Sequence, residues 1–479
     1  MSSTEHFDLV VIGAGPAGEK GAAQAAYFGK KVCVIERAPK PGGAAVNTGT
    51  IPSKTLRETA LYFSGLKQRG LYGVDYHVKG DITVADFMFR ERLVVEAQWS
   101  LINQNLERHH VTVVQGTARF VDANTVEVTR YKEQPRCIRG DVVLVATGSR
   151  PLRPANVPFD DTIVVDSDSL LRLQSIPRRM IVIGGGVIGC EYASIFAALG
   201  VKVTIVNQRE RILTQLDGEV SEVLRAELTR RLGITVVLNV EIAKIEADES
   251  VGRVTLADGT LLHGECILYC AGREGCTSEL DLAMAGVKTN SRGFIAVDST
   301  FRTAVPGVYA AGDVIGFPAL ASTAMEQARV AMCAAFELKY KEKVSSVLPY
   351  GVWTIPEVAM VGETEESARA KGQRYEIGKA NFAANPRGLI VGDEGFVKII
   401  FDAHSQRLLG ASIVGEGACE LIHTAAAVLY YEGTIDYFIQ SVFNYPALSD
   451  AYKYAAYDGL QRVAKRISRQ SGLKAVTPA

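Results

Sequence analysis

The sequence has no Cys-x-x-Cys pair, no uncharged apolar run near the roughly 18 residues that cross a bilayer, and no block of like charge. Its eight cysteines, Cys33, Cys137, Cys190, Cys266, Cys270, Cys276, Cys333 and Cys419, are scattered. Cys266 and Cys270 read as members of one strand, where four residues span roughly 13 Å, too far for a disulfide. Reduced core thiols in a reducing compartment are expected. The seven histidines show no metal spacing and no Cys/His cluster suggests zinc, so no metal is expected. With 52 basic and 53 acidic side chains the net charge is −1, which argues against nucleic acid or an anionic membrane as partner. Met1 to Asp8 is polar and runs straight into a strand, so no signal peptide is expected, and the default address is cytoplasmic.

What is present is glycine, at 45 residues, in a chain of 479 that is too long for one core. A strand–turn–helix–strand unit occurs twice. The first copy runs from Asp8-Leu9-Val10-Val11-Ile12 into Gly13-Ala14-Gly15-Pro16-Ala17-Gly18, an Ala-rich helix, and a strand ending at Glu36. The second runs from Met180-Ile181-Val182-Ile183 into Gly184-Gly185-Gly186-Val187-Ile188-Gly189, a helix, and a strand ending at Asn207. In each copy the strand-end residue lies 18 positions after the third glycine. The opening strands are continuous apolar runs without alternation, the pattern of parallel strands covered on both faces. Two doubly wound α/β domains follow.

Each copy is followed by a further apolar strand closing on Ala and Gly, Asp141 to Gly148 (with Thr147) and Cys266 to Gly272. Val308-Tyr309-Ala310-Ala311-Gly312-Asp313 reads as a return to the first domain. The expected division is 1–155 and 281–346 for the first dinucleotide domain, 156–280 for the second, and 347–479 for a C-terminal α+β domain.

A Gly-x-Gly-x-x-Gly turn presents backbone N–H groups and a helix N-terminus to a pyrophosphate that side chains would exclude. Gly13, Gly15 and Gly18 are thus assigned to one dinucleotide, and Gly184, Gly186 and Gly189 to another. Glu36 can accept from ribose hydroxyls, which suits the ADP half of FAD or NAD. Asn207, with Arg209 and Arg211 close behind, is neutral where an acid would repel a 2′-phosphate, so the second site is expected to take NADP(H) and also NAD(H). Lys54, after the Gly42-Gly43 loop, and Glu191, after Gly189, are a candidate charge pair beside a flavin.

Three segments carry a resemblance over essentially the whole chain: Gly15-Pro16-Ala17-Gly18-Glu19, Gly49-Thr50-Ile51-Pro52-Ser53-Lys54, and Ala310 to Ala324. Together they resemble the two-dinucleotide-binding-domain flavoproteins, the pyridine nucleotide–disulfide oxidoreductase family. Within it the chain is most similar to the soluble, si-specific transhydrogenase branch. The resemblance implies FAD on the first domain with Gly43, Thr147, Gly148, Gly312 and Asp313 among its contacts, NAD(P) on the second with Gly272, and a C-terminal dimerisation domain.

The family's redox cysteines are replaced by Ala45 and Thr50, and branch members that commonly keep one of them differ from this chain, which keeps neither. The family's His-Pro-x-x-x-Glu segment reads Tyr445-Pro446-Ala447-Leu448-Ser449-Asp450, and a phenol with a pKa near 10 is a poor base at neutral pH. Dithiol chemistry and its proton relay are therefore absent together. Hydride transfer between nicotinamide nucleotides through FAD is implied, NADPH + NAD⁺ ⇌ NADP⁺ + NADH. It would be ping-pong because one nucleotide site serves twice, in a homodimer or larger homo-oligomer where Tyr445 reaches the partner's flavin. A quinone reductase or diaphorase, and a non-catalytic flavoprotein with a sensing or structural role, are the alternatives.

Overall fold

The computed structural model describes residues 4–66 and 82–470. They divide into two compact units, Met1–Leu56 with Thr83–Ser175 and Cys270–Ser345, and Arg57–Ile82 with Ile176–Tyr269 and Ser346–Ala479. Gly272 thus belongs to the first unit, along with the return segment 308–313.

The first unit is built on a mixed sheet. Strand Glu5–Ile12 lies between Val32–Glu36 and Arg136–Val145, parallel to both, and Thr112–Gln115 adds a parallel edge. Arg136–Val145 shares its other side between two neighbours. Its N-terminal half pairs antiparallel with Thr125–Thr129, and its C-terminal half pairs parallel with Val308–Ala310. Register brings Ile35, Ile12, Val145 and Ala310 into one row at the C-terminal edge of the sheet. Residues 36, 13, 146–148 and 311–313 leave from that row, which is where open α/β sheets bind ligands.

The missing alternation in the apolar strands has its cause here. Leu9, Val11, Val34 and Leu144 are buried on one face against helix residues such as Ala22, Ala328 and Ile102. Val10, Ile12, Cys33 and Val143 are buried on the other against Phe120, Leu280 and Ile295. A sheet wetted on neither side needs apolar residues at every position.

In the second unit, strands Thr235–Val237, Lys202–Val206, Arg179–Ile183 and Cys266–Tyr269 run parallel in that order. Cys266 is therefore in the strand, but the strand stops one residue short of Cys270. All eight cysteines are free thiols, five of them buried. An antiparallel meander, Ile242–Ala247, Gly252–Leu256 and Leu261–Gly264, is inserted between Thr235–Val237 and the last parallel strand, Cys266–Tyr269. The C-terminal part is a five-stranded antiparallel sheet in the order 350–352, 358–362, 408–414, 396–402, 375–381. Helices Ala418–Tyr430 and Ala451–Gln470 bury Ile422, Ala425, Tyr452 and Ala455 against this sheet. Among the described residues no helix is long and apolar enough to cross a membrane.

Candidate functional site

Both glycine turns form as strand-to-helix corners. Gly13 has φ +101°, a conformation costly for any residue with a Cβ, and its N–H donates to Ile35 O at 2.8 Å. Gly15 caps helix Pro16–Tyr27, with Pro16 at the first helical position where no N–H is needed. A Cβ on Gly18 would overlap Gly13 O, so the third glycine is what lets the helix close onto its strand. Gly42 N donates to Ala14 O at 2.8 Å, and a Cβ on Gly43 would lie 2.9 Å from Gly15 Cα. The Gly42-Gly43 loop is thereby held against the fingerprint, carrying Ala45 in the short helix Gly43–Asn47. Thr50 opens helix Thr50–Ser64 and is exposed. Lys54 is in the same helix, its Nζ 3.2 Å from Ser53 Oγ.

Glu36 accepts from two backbone N–H groups, Ala14 at 2.6 Å and Ala38 at 2.8 Å. The carboxylate therefore fixes the turn and keeps lone pairs for a ribose. At the sheet's edge, Gly148 has φ +71° with open space where its Cβ would be. Next to it the Thr147 hydroxyl is buried with no hydrogen-bond partner, a state that costs about 1–3 kcal/mol unless a ligand satisfies it. Gly312 has φ +81°, and its N–H donates to Gln327 Oε1 at 2.9 Å. Asp313 is fixed by a relay: Arg273 Nε donates to Ser149 Oγ at 2.8 Å, and that hydroxyl donates to Asp313 Oδ2 at 2.8 Å. Ser149, Arg273 and Gln327 belong to no motif in the sequence, and their roles arise from these contacts. Ser149 and Arg273 adjoin Gly148 and Gly272, and that adjacency is the signal the sequence offers for them.

The second turn repeats the first. Gly184 has φ +114° and donates to Val206 O at 2.9 Å, and Gly186 caps helix Val187–Ala198 with nothing within 4 Å of its Cβ position. Gly189 is buried in the first turn of that helix. Asn207 Oδ1 accepts from Gly185 N at 3.1 Å, and its Nδ2 donates to Arg209 O at 3.2 Å and Arg211 O at 3.0 Å. Both amide hydrogens are thus committed to the loop, which leaves a single acceptor lone pair for a ribose hydroxyl.

The two arginines, equivalent in the sequence, are not equivalent in the fold. Arg209 is exposed and bonds Thr214 Oγ1 at 2.6 Å; Arg211 is half-buried and paired with Glu366 at 2.9 Å. Glu191 is buried and accepts from Trp353 N at 3.0 Å. Burial pushes the nearby Tyr350 phenol above its ordinary value, and the charge of Glu191 adds to that. Lys54 and Glu191 fall in different units, so their pairing stays a proposal. Tyr445 is 77% exposed in the C-terminal part and Asp450 is half-buried.

Among the described residues one carboxylate cluster, Asp217, Glu219 and Glu365, has metal-ligand spacing. The buried Lys398 ammonium stands among all three, 2.9 Å from Asp217 and from Glu219 and in contact with Glu365. A cation is already there, supplied by the chain.

Two family models match end to end, one described as pyridine nucleotide-disulphide oxidoreductase over residues 7–328 and one as its dimerisation domain over 348–456. The chain belongs to the pyridine nucleotide-disulphide oxidoreductase family. Named relatives in this family include the soluble pyridine nucleotide transhydrogenase of Mycobacterium bovis (strain BCG / Pasteur 1173P2). It is 43% identical over 459 residues, covering 95% of this chain and 98% of the relative. The soluble pyridine nucleotide transhydrogenase of Yersinia enterocolitica is 39% identical, covering 97% of this chain and all of the relative. Among solved structures, LpdA of Mycobacterium tuberculosis matches with a TM-score of 0.87 at 28% identity, over 95% of this chain and 99% of that one. The HOCl-induced flavoprotein disulfide reductase RclA of Escherichia coli, as its Cu(II) complex, matches at 0.85 and 27%, over 95% and 99%.

As a member of this oxidoreductase family the chain has the expected fold, two Rossmann-like α/β domains and a C-terminal dimerisation domain. The glycine cradle at Gly13 and Gly15, the orphaned Thr147 hydroxyl and the braced Asp313 carboxylate are space, a donor and an acceptor of the kind that FAD requires.

Proposed function

We propose that this chain is an FAD-dependent transhydrogenase catalysing NADPH + NAD⁺ ⇌ NADP⁺ + NADH. The observation that carries the reading is a contrast. Both dinucleotide corners are fully built, while Ala45 and Thr50 stand at the family's two thiol positions and can form no thiolate. The transhydrogenase names of relatives 39–43% identical over nearly the whole chain support it.

FAD, when bound, accepts a hydride from one nicotinamide and yields it to another. Gly13, Gly15, Gly18 and the N-terminus of helix Pro16–Tyr27 would hold its pyrophosphate. Glu36 would take its ribose, Thr147 would satisfy its free hydroxyl, and Gly43, Gly148, Gly312 and Asp313 would complete the cradle. Gly184, Gly186, Gly189 and helix Val187–Ala198 would bind the nicotinamide nucleotide, with Asn207 at its ribose, Arg209 at a 2′-phosphate and Gly272, three residues past strand Cys266–Tyr269 in sequence, among its contacts. Lys54 and Glu191 would pair beside the reacting ring and balance charge there, electrostatic work that needs no thiol.

The reading carries the domain scheme 1–155 with 281–346, 156–280 and 347–479, a homodimer in which exposed Tyr445 reaches the partner's site, and a cytoplasmic address. The test is anaerobic reduction of the purified holoenzyme with NADPH, followed by thio-NAD⁺, a quinone and lipoamide in parallel. Fast reoxidation by thio-NAD⁺ is expected. Reoxidation by quinone alone would replace the reading with a quinone reductase, and lipoamide turnover would sink the argument from Ala45 and Thr50. Purification without flavin would favour a non-catalytic role.

A further inference from the structure

We propose that Glu366 sets the nucleotide preference of the second site by withholding Arg211 from the 2′-phosphate pocket. This rests on the reading of that site as a nicotinamide nucleotide site with Arg209 at its rim.

The loop that follows the strand end is drawn in by Asn207, whose amide bonds the carbonyls of both Arg209 and Arg211. Leu213 N donates to Gly185 O at 2.8 Å, so the loop returns onto the fingerprint turn itself. Both arginines therefore spring from backbone that borders the ribose end of the site. A 2′-phosphate there would be met by two guanidinium groups if side-chain chemistry alone decided.

Only one is offered. Arg211 Nη1 donates to Glu366 Oε1 at 2.9 Å, and its Nη2 donates to Thr214 O at 3.2 Å. The same Glu366 oxygen accepts from Gly218 N at 2.9 Å, the first residue of helix Gly218–Leu232. The clamp is close-fitting: a Cβ on Gly218 would lie 2.6 Å from Arg211 Nη1 and closer still to Glu366 Oε1. Glu366 Oε2 is buried with no hydrogen-bond partner, so one oxygen carries both bonds while the other stays unsatisfied. Burial works against the ionised carboxyl, but its bond to Arg211 and the hydrogen bonds around it hold it below its ordinary value. The clamp therefore stays charged at neutral pH.

One exposed arginine, held only by the neutral Thr214 hydroxyl, with a neutral Asn207 suits a site that must accept both the phosphorylated and the plain nucleotide. Two arginines without a carboxylate partner would tilt it toward the phosphorylated one, because each charge-assisted bond to phosphate adds to one partner and not the other. The clamp residue comes from the C-terminal part of the chain, far in sequence from the pocket it tunes.

The experiment titrates holoenzyme with 2′,5′-ADP and with 5′-AMP by calorimetry and reads the ratio of affinities, so that only the 2′-phosphate is reported. Glu366→Gln keeps an acceptor for Gly218 N while removing the charge that holds Arg211. It should raise the preference for 2′,5′-ADP about tenfold, and adding Arg211→Ala should cancel that gain. Arg211→Ala alone, which does not depend on Glu366→Gln folding, should leave the wild-type ratio unchanged. An unchanged ratio in Glu366→Gln, a gain that survives loss of Arg211, or a tenfold fall in the ratio on Arg211→Ala alone would each overturn the proposal. Failure of the wild type to bind either compound would instead sink the nucleotide reading of this site, and the clamp with it.

Discussion

The two glycine corners solve one geometric problem with opposite chemistry at the strand end. In each, the first glycine bonds the carbonyl before the strand-end residue, and the second fingerprint residue donates its N–H to the strand-end side chain. After that they diverge. Glu36 can only accept, so the loop beyond it turns an N–H inward, from Ala38. Asn207 also donates, so the loop beyond it turns two carbonyls inward, from Arg209 and Arg211. A carboxylate at 207 would face two carbonyl oxygens. The neutral strand end thus has a reason in the loop itself, and the loop in turn decides where the arginines start.

The second corner has a brace that sharpens the contrast. Helix Gly218–Leu232, which follows its loop, is tied to the C-terminal sheet by Lys398 among Asp217, Glu219 and Glu365. Lys398→Met should be the most damaging change, costing about 3–5 kcal/mol because three carboxylates are left crowded without a buried cation. Thermal or urea unfolding measures it, and a loss below 1 kcal/mol would show that water compensates.

The brace also fixes a pH window. Burial alone would lower the Lys398 value, but its three carboxylate partners raise it above the ordinary 10.5. Its contribution is complete below about pH 10.5 and is lost as pH rises through the raised value. Glu219 is pulled below its ordinary 4.5 by Lys379 and Lys398 despite burial, so its contribution is present above that value and lost as pH falls through the lowered one. The Lys398→Met variant should accordingly lose the alkaline fall in stability, while at the acid end its crowded carboxylates should recover stability as they take up protons.

The third glycine and the second glycine predict different kinds of failure. Gly18→Ala drives a methyl into Gly13 O and should cost about 1–3 kcal/mol along with flavin retention, read from the 450 nm region of the purified protein. Gly186→Ala meets no protein atom within 4 Å, so its melting temperature should hold while KM for the nicotinamide nucleotides rises. Equal destabilisation by the two would break the comparison. At the strand ends, Glu36→Gln sets an amide against two N–H donors and should cost about 1.5–3 kcal/mol, seen as weaker FAD binding. The mildest change is Arg209→Ala, expected to raise KM for NADPH about tenfold and to leave NADH within twofold.

The sequence alone determined the paired corners, because a strand–Gly-x-Gly-x-x-Gly–helix unit depends on local backbone sterics and on apolar runs that only a doubly covered sheet requires. It also carries the proposal that dithiol chemistry is lost, since Ala45 and Thr50 have no sulfur in any conformation. What it could not rank were residues whose role depends on a distant partner. Arg209 and Arg211 read alike until Glu366, 155 residues beyond Arg211, was found to occupy one of them. Asp217, Glu219 and Glu365 could have passed for cation ligands until Lys398 was seen to fill the space. Ser149, Arg273 and Asp313 form one relay only because strand pairing sets Gly275 opposite Ser149. Charges and hydrogen bonds act over a few ångströms with no regard for sequence separation, so which of them are already spent is decided only when the chain has folded.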